Sequence, residues 1–273
     1  MKDDPFLEMI GLPHTIKRNG PSDVYHTTGF TRAEVTEIAV MINAVELDPE
    51  ISWPPILGLF RSVVATLTYM RRNRVQAEIG EDFGVSQPTI SRAIKVMTPL
   101  IETALAGFVP TADELDEGTQ YIVDGTLLPC WSWAAHPELY SGKHKTTGMN
   151  VQLACTLAGH LAWISDAING SRHDSHCLNE SGVLVTLDRG DWIGDKGYQG
   201  NDMITPFKKP SGGKLLDWQK EFNTQVNKIR CIIEQVIANF KTWRIMHTDY
   251  RRPISTFPTT ISAVIALHFY KIA

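Results

Sequence analysis

The stretch WQKEFNTQVNKIRCIIEQVIANFKTWR, residues 218–244, governs how the rest of the chain is read. At roughly 100° per residue, a helix brings Val226, Ile229, Ile233, Val236, Ile237 and Phe240 to one side, the stripe expected of a core-facing helix. With Arg230 at zero, Glu234 falls at about 40° and Lys241 at about 20° on the same wheel. A carboxylate therefore stands between two cations beside the buried stripe, not opposite it. Taken alone, that edge is explained by a solvated Arg–Glu pair worth about half a kcal/mol. The segments around it give it another meaning.

Upstream of this helix the pattern is that of strands. TQYIVDGTLLP (119–129) reads as a buried strand ending at Asp124. TTGMNVQLACTLAG and HLAWISDAING (146–170) read as a hairpin turning at Ala158–Gly159. SRHDSHCLNESGVL opens a helix with Ser171 or Asp174 as cap, and DRGDWIGDKGY is a short strand ending at Asp195. Strand, hairpin, helix, strand and long helix is an α/β order around one central sheet.

Asp124 and Asp195 each sit where an apolar strand meets a glycine-containing turn, the position at which open α/β sheets build sites. Singly, each is explained as a turn residue. Together with Glu234 they form an oxygen-only donor set suited to a hard divalent ion, Mg²⁺ or Mn²⁺, and to in-line displacement at phosphorus. Asp174 is better explained as a helix cap, and Asp166 is weaker still. His173 and His176 have no Cys or His partner at zinc spacing. Lys143 and Lys145, in the basic loop SGKHKTTG, are candidate phosphate contacts. Trp131 and Trp133 are expected to pack on the sheet instead of stacking on a base.

Toward the amino terminus, Thr31 and Glu34 form a capping box for a helix running to about Val45, and residues 56–72 form a second helix. The first thirty residues read as a loose arm with a short helix, and 48–55 as a loop. RVQAEIGEDFGVSQPTISRAIKVMTPLIETAL, from Arg74, then divides into a short helix, a corner at Gly84 and a second helix capped by Ser86 with Pro88 in its first turn. This is a helix-turn-helix at about 75–97, with Ile79, Phe83, Val85 and Ile90 as its core. Gln87, Thr89 and Arg92 are the residues expected to be exposed toward base edges. A helical hairpin without a DNA role is the competing explanation.

The net charge of −4 excludes a uniformly basic nucleic-acid coat but leaves local patches, among them Arg71, Arg72 and Arg74. Four scattered cysteines without a CxxC pair fit reduced thiols, and the acidic start with its interrupted apolar run does not read as a secretion signal. The apolar run 261–270 is too short to span a bilayer. A cytoplasmic, nucleoid-associated protein with no membrane partner is expected. The polar stretch 111–118 marks a boundary, giving domains 1–110 and 111–273.

From about Gln120 to Arg252 the chain resembles the catalytic domain of DDE-type insertion-sequence transposases, close to their harbinger-like relatives. VDGT at 123–126, GDKGYQG at 194–200 and the long-helix signature carry the resemblance. In the family that signature is Tyr-x2-Arg-x3-Glu-x6-Lys; Arg230, Glu234 and Lys241 match it, and Asn227 stands where Tyr would be. The resemblance implies a ribonuclease-H-like catalytic domain with a central mixed sheet, preceded by an all-α helix-turn-helix domain. It implies Asp124, Asp195 and Glu234 as the catalytic and metal-binding triad for Mg²⁺ or Mn²⁺. Arg230 and Lys241 would contact DNA phosphate or orient Glu234. The implied reaction is cleavage at terminal inverted repeats followed by transfer of the 3′ hydroxyl to target DNA, carried out by a homo-oligomer. Two rivals are a domesticated DNA-binding protein without catalysis and a metal-dependent endonuclease that does not transpose.

Overall fold

The computed structural model describes residues 24–45, 52–131 and 135–273. Most of the expected amino-terminal arm, part of the 48–55 loop and Trp133 lie outside the described residues. The chain forms two compact units, one comprising residues 1–109, 243–245 and 255–273, the other 110–242 and 246–254.

The first unit is helical. After one turn at Tyr25–Thr28, it contains α1 (Arg32–Ala44), α2 (Gly58–Arg72), α3 (Gln76–Phe83), α4 (Gln87–Leu105) and, from the far end of the chain, α7 (Phe257–Ile272). The sequence division placed this last helix in the second domain. Its apolar faces instead complete the helical core, with Val264 and Leu267 buried in the same unit as Leu67, Ile94 and Met97. The capping box of α1 is formed, Thr31 N–H donating to Glu34 Oε2 at 2.5 Å and Glu34 N–H to Thr31 Oγ1 at 3.3 Å. By length and composition Gln87–Glu114 could cross a bilayer. Within the unit, however, α4 packs against α1, α2 and α7 as a core helix. It runs through Pro99, whose missing hydrogen bond falls on the exposed side with Lys95.

The corner between α3 and α4 is made as expected, with Gly84 at φ +64° in the left-handed region. A second glycine proves equally necessary. A Cβ on Gly80 would lie 2.7 Å from the Val85 carbonyl oxygen, so only glycine lets the corner fold back on α3. Ser86 is the N-cap of α4, but its hydroxyl meets Thr89 Oγ1 at 3.0 Å instead of a backbone N–H.

The Arg71, Arg72 and Arg74 patch is largely consumed inside this unit. Arg71 lies over the Trp243 ring at 5.2 Å, Arg72 Nε donates to the His26 carbonyl at 3.0 Å, and Arg74 pairs with Glu78 and Asp82. Arginines read from sequence as a free patch are here held in place, Arg71 by a ring and Arg72 by a carbonyl, and Arg74 alone is paired with carboxylates.

His268 on α7 is buried, and burial, aided by Arg71 and Lys271, pushes its pKa down to about 4. The folded state thus favours the neutral ring. Below about pH 6.5 the unfolded chain takes up a proton that the folded chain refuses until about pH 4. Stability is therefore expected to be full above pH 6.5 and to fall by about 3 kcal/mol between pH 6.5 and 4 through this group. Urea unfolding across that range should show the loss, and His268→Gln should flatten it.

The second unit is built on a six-stranded sheet ordered β2-β3-β1-β6, with β4 and β5 also pairing β3. The strands are β1 (Tyr121–Pro129), β2 (Tyr140–Ser141), β3 (Thr146–Thr156), β4 (Leu161–Ile164), β5 (Ile168–Asn169) and β6 (Trp192–Ile193). β1 is antiparallel to β3 and parallel to β6, so the sheet is mixed. The β3–β4 hairpin turns through Gly159 at φ +82°. α5 (Asp174–Glu180) covers one face, where Val123, Ala154, Leu178, Trp192 and Tyr198 share a buried cluster. α6 (Asp217–Phe240) packs against β1 and β3. Val226, Ile233, Val236 and Phe240 of its stripe are buried, and Ile229 and Ile237 are half-buried.

Three expectations in this unit are corrected. β1 does not end at Asp124 but continues to Pro129, because β3 pairs with it without interruption from Tyr121↔Thr156 to Pro129↔Gly148. Neither Ser171 nor Asp174 caps α5; His173 is the N-cap, and the Asp174 carboxylate is engaged elsewhere. Trp131 is not packed on the sheet but exposed. Its N–H bonds the Tyr250 carbonyl at 3.2 Å, which fixes the backbone and turns the side chain outward.

Candidate active site

Strand alternation assigns the site's residues to faces. Along β1, Val123 and Gly125 point toward α5, and Asp124 points to the opposite face, toward α6. There Asp124 Oδ2 accepts from Arg230 Nη2 at 3.1 Å, and its Oδ1 accepts from the Gly125 N–H at 2.9 Å. Both side chains are nearly enclosed, Asp124 at 16% and Arg230 at 15% exposure. Arg230 Nε is buried without a hydrogen-bond partner.

Burial raises the Asp124 pKa, and the nearby charges of Asp195 and Asp174 raise it further, against the opposing pull of Arg230 and the Gly125 N–H. The cause is elementary: a carboxylate surrounded by low-dielectric protein and other carboxylates is costly to ionise. Asp195 enters from the next strand. It follows β6, which is parallel to β1, and its Oδ1 accepts from the Gly197 N–H at 2.6 Å at the start of a 3-10 turn. The fold thus brings Asp124 and Asp195, distant in sequence, within each other's field.

Glu234 is not drawn in. It lies exposed on α6, one turn beyond Arg230. The two cations expected to flank it turn to β1 instead: Arg230 to Asp124, and Lys241 Nζ to the Leu127 carbonyl at 3.0 Å. Burial lowers the Lys241 pKa. The wheel correctly placed all three residues on one edge of α6, but the nearest acceptors belonged to the strand beneath. Asn227 is exposed on the same helix. Among the described residues, no three histidine, cysteine or carboxylate side chains converge closely enough to enclose an ion.

Asp174, set aside in the sequence as a cap, is instead embedded beside this site. Its Oδ1 accepts from Asn150 Nδ2 at 2.8 Å and its Oδ2 from Lys143 Nζ at 2.6 Å. Gly125 makes the approach feasible, since a Cβ there would stand 2.6 Å from both Asp174 Oδ1 and Gln152 Nε2. Asn150, Gln152 and Tyr198 were missed as well. The signal was present in MNVQLAC, where two amides two residues apart interrupt an otherwise apolar strand and fall on one face.

Of the other expected contacts, Lys145 is exposed at φ 53° in the β2–β3 turn, and Gln87 and Arg92 are exposed on α4. Thr89 is not: it is buried at 7% exposure, with Oγ1 against Ser86 and 3.4 Å from Arg92 Nη2. As the third residue of α4, within its first turn, it faces the corner's own core. His176 pairs with Glu180 at 2.9 Å. Cys155 and Cys177 are buried free thiols with pKa pushed up to about 12, and Cys231 is an exposed free thiol.

Residues 56–107 match the family model described as the helix-turn-helix of DDE superfamily endonuclease. The chain is 26% identical over 233 residues to a probable transposase for insertion sequence element IS702 of Microchaete diplosiphon, covering 80% of this chain and 83% of that one. It is 27% identical over 195 residues to a putative transposase for insertion sequence element IS112 of Streptomyces albus G, covering 71% and 73%. No solved structure matches. Residues 123–268, more than half of the chain and including Asp124, Asp195 and the α6 signature, match the model of the DDE superfamily endonuclease family, to which this protein belongs.

Proposed function

We propose that this protein is an insertion-sequence transposase that cuts DNA at the terminal inverted repeats of its element and joins the freed 3′ hydroxyl to target DNA. The observation that carries this reading is the placement of Asp124 on β1 and Asp195 just after the parallel β6, near enough for Asp195 to help raise the Asp124 pKa, with α6 bonded to Asp124 through Arg230. We assign the second unit to the ribonuclease-H-like class on the strength of its mixed sheet and mid-strand Asp124. The first unit would be the DNA-reading domain.

The donor chemistry fits Mg²⁺ or Mn²⁺. Burial and the charges of Asp195 and Asp174 raise the Asp124 pKa, and the carboxylates draw Arg230 and Lys143 as countercharge, as a site short of positive charge does. Asp124 and Asp195 would hold the ion, and Glu234, exposed one helical turn beyond Arg230 and not converging with them here, is the third carboxylate that the long-helix signature offers it. When bound, the ion supplies charge neutralisation and Lewis acidity at the phosphoryl oxygens. The protein's own part is positional. Arg230, with its unused Nε–H, offers a donor to a phosphate oxygen. Lys241 pins the end of α6 to β1, so the helix carrying Glu234 keeps its register on the sheet. One phosphodiester is exchanged for another, so no nucleoside triphosphate is consumed. The reading also implies a homo-oligomer that brings two DNA ends together, acting in the cytoplasm at the nucleoid.

Incubation with Mg²⁺ and a supercoiled plasmid bearing the element's ends is expected to give excised or joined products. Nicks alone would indicate a nuclease, and binding without cleavage a domesticated DNA-binding protein. Exposed Gln87 and Arg92 are the proposed base readers. Arg92→Ala should weaken binding to the repeat by about 10- to 100-fold, with little change on unrelated duplex, in a gel-shift titration at fixed salt. An equal loss on both DNAs would remove Arg92 from the reading set.

A further inference from the structure

A continuous chain of hydrogen bonds runs through the interior of the second unit and ends at Asp174. Tyr198 Oη donates to Gln152 Oε1 at 2.6 Å, Gln152 Nε2 to Asn150 Oδ1 at 2.7 Å, and Asn150 Nδ2 to Asp174 Oδ1 at 2.8 Å. Tyr198, Gln152 and Asn150 are all buried. Every donor in the chain points the same way, toward the carboxylate. That polarity is fixed at its start, because burial and the surrounding aspartates push the Tyr198 pKa well up and keep its proton in place.

The chain also ties together the segments that carry the site. Tyr198 belongs to the turn that begins at Asp195, Gln152 lies opposite Gly125 in the β1–β3 register, and Gly125 follows Asp124. At its far end, Asp174 Oδ2 holds the Lys143 ammonium at 2.6 Å, although the Lys143 side chain is otherwise 58% exposed. Burial lowers the Lys143 pKa, but Asp174, Asp195 and Asp124 raise it on balance, so the ammonium lies within the field of all three carboxylates while part of the side chain stays in solvent. A buried, fully satisfied polar chain that ends by fixing one exposed lysine is far more than a surface loop needs.

We propose that Asp174 is a positioning residue, fixed by Tyr198, Gln152 and Asn150, whose task is to hold the Lys143 ammonium against the phosphate being cut. This inference rests on the transposase reading and specifies one of its parts. On this view Lys143 supplies positive charge to the phosphoryl oxygens as negative charge builds on them. Asp174 touches neither DNA nor ion. Strand alternation agrees, since Gly125, on which Asp174 rests, faces the side of β1 away from Asp124.

The test is a double-mutant cycle on single-turnover cleavage of a repeat-end duplex, together with Mn²⁺ binding to the protein alone followed by electron paramagnetic resonance. Lys143→Ala and Asp174→Asn are each expected to slow cleavage by about 100-fold, and the double variant no further, because Asp174 acts through Lys143. Lys143→Arg should recover part of the rate. Tyr198→Phe, which removes one oxygen only, should give a smaller loss. Mn²⁺ affinity should stay within about threefold of wild type in Lys143→Ala and Asp174→Asn, and be lost in Asp124→Asn. Multiplicative losses in the double variant, or a wild-type rate in Lys143→Ala, would overturn the proposal. So would loss of Mn²⁺ in Asp174→Asn to the extent seen in Asp124→Asn, since Asp174 would then be a ligand. A wild-type protein that cleaves no DNA defeats the transposase reading itself and this inference with it, an outcome distinct from those in which wild type cleaves and the cycle fails.

Discussion

Asp124→Asn is expected to reduce cleavage of repeat-end DNA by about 10³-fold or more while leaving the protein folded. The amide keeps the shape of the carboxylate but has a single oxygen, so of the bonds from Arg230 Nη2 at 3.1 Å and from the Gly125 N–H at 2.9 Å it retains one acceptor. The negative charge disappears as well. Burial and the fields of Asp195 and Asp174 already oppose ionisation at this position, so removing the charge relieves a cost to the folded state. Against that, Arg230 loses its counter-ion in a nearly enclosed setting. The two effects oppose one another, and the melting temperature should move by only a few degrees. A circular-dichroism melt beside the cleavage assay separates the cases. Unchanged cleavage would remove Asp124 from the chemistry, and collapse of the fold would make it a structural residue.

Gly125→Ala should be nearly as damaging, for a different reason. The added Cβ would meet Asp174 Oδ1 and Gln152 Nε2, both at 2.6 Å. Neither atom is the free end of a mobile side chain. Asp174 is held by Asn150 and Lys143, and Gln152 by Asn150 and Tyr198. Relief therefore requires breaking part of the buried chain or shifting β1 against β3. A destabilisation of about 1–3 kcal/mol is expected from urea unfolding. Cleavage should fall by about 100-fold or more, because the same shift displaces the neighbouring Asp124. Full activity in Gly125→Ala would mean that the approach of Asp174 to β1 is dispensable.

The Arg92 and His268 outcomes test other parts of the molecule, where legibility in the sequence also differs. The helix-turn-helix could be read because its signals are local: a left-handed glycine, a cap, a proline in a first turn and apolar spacing all act within a few residues. Its exposed face was read less well. Thr89 turned out to be buried, since the two-residue step from exposed Gln87, about 200° around α4, carries a side chain to the corner's core.

In the second unit the sequence by itself determined the order of the main strands and helices and the face of α6 that is buried, because periodicity and turn chemistry are properties of neighbouring residues. Tertiary structure decided what those residues do. It turned Arg230 and Lys241 onto β1 and left Glu234 exposed, because the strand beneath α6 offered a carboxylate and a carbonyl that helical spacing cannot foresee. It made a helix-start aspartate the end of a buried chain, because Asn150, Gln152 and Tyr198 meet it only after β3 and the Asp195 turn have packed together. Spacing along a chain fixes which side of an element a group occupies; the partner it finds there depends on which other element arrives, and that is settled by packing.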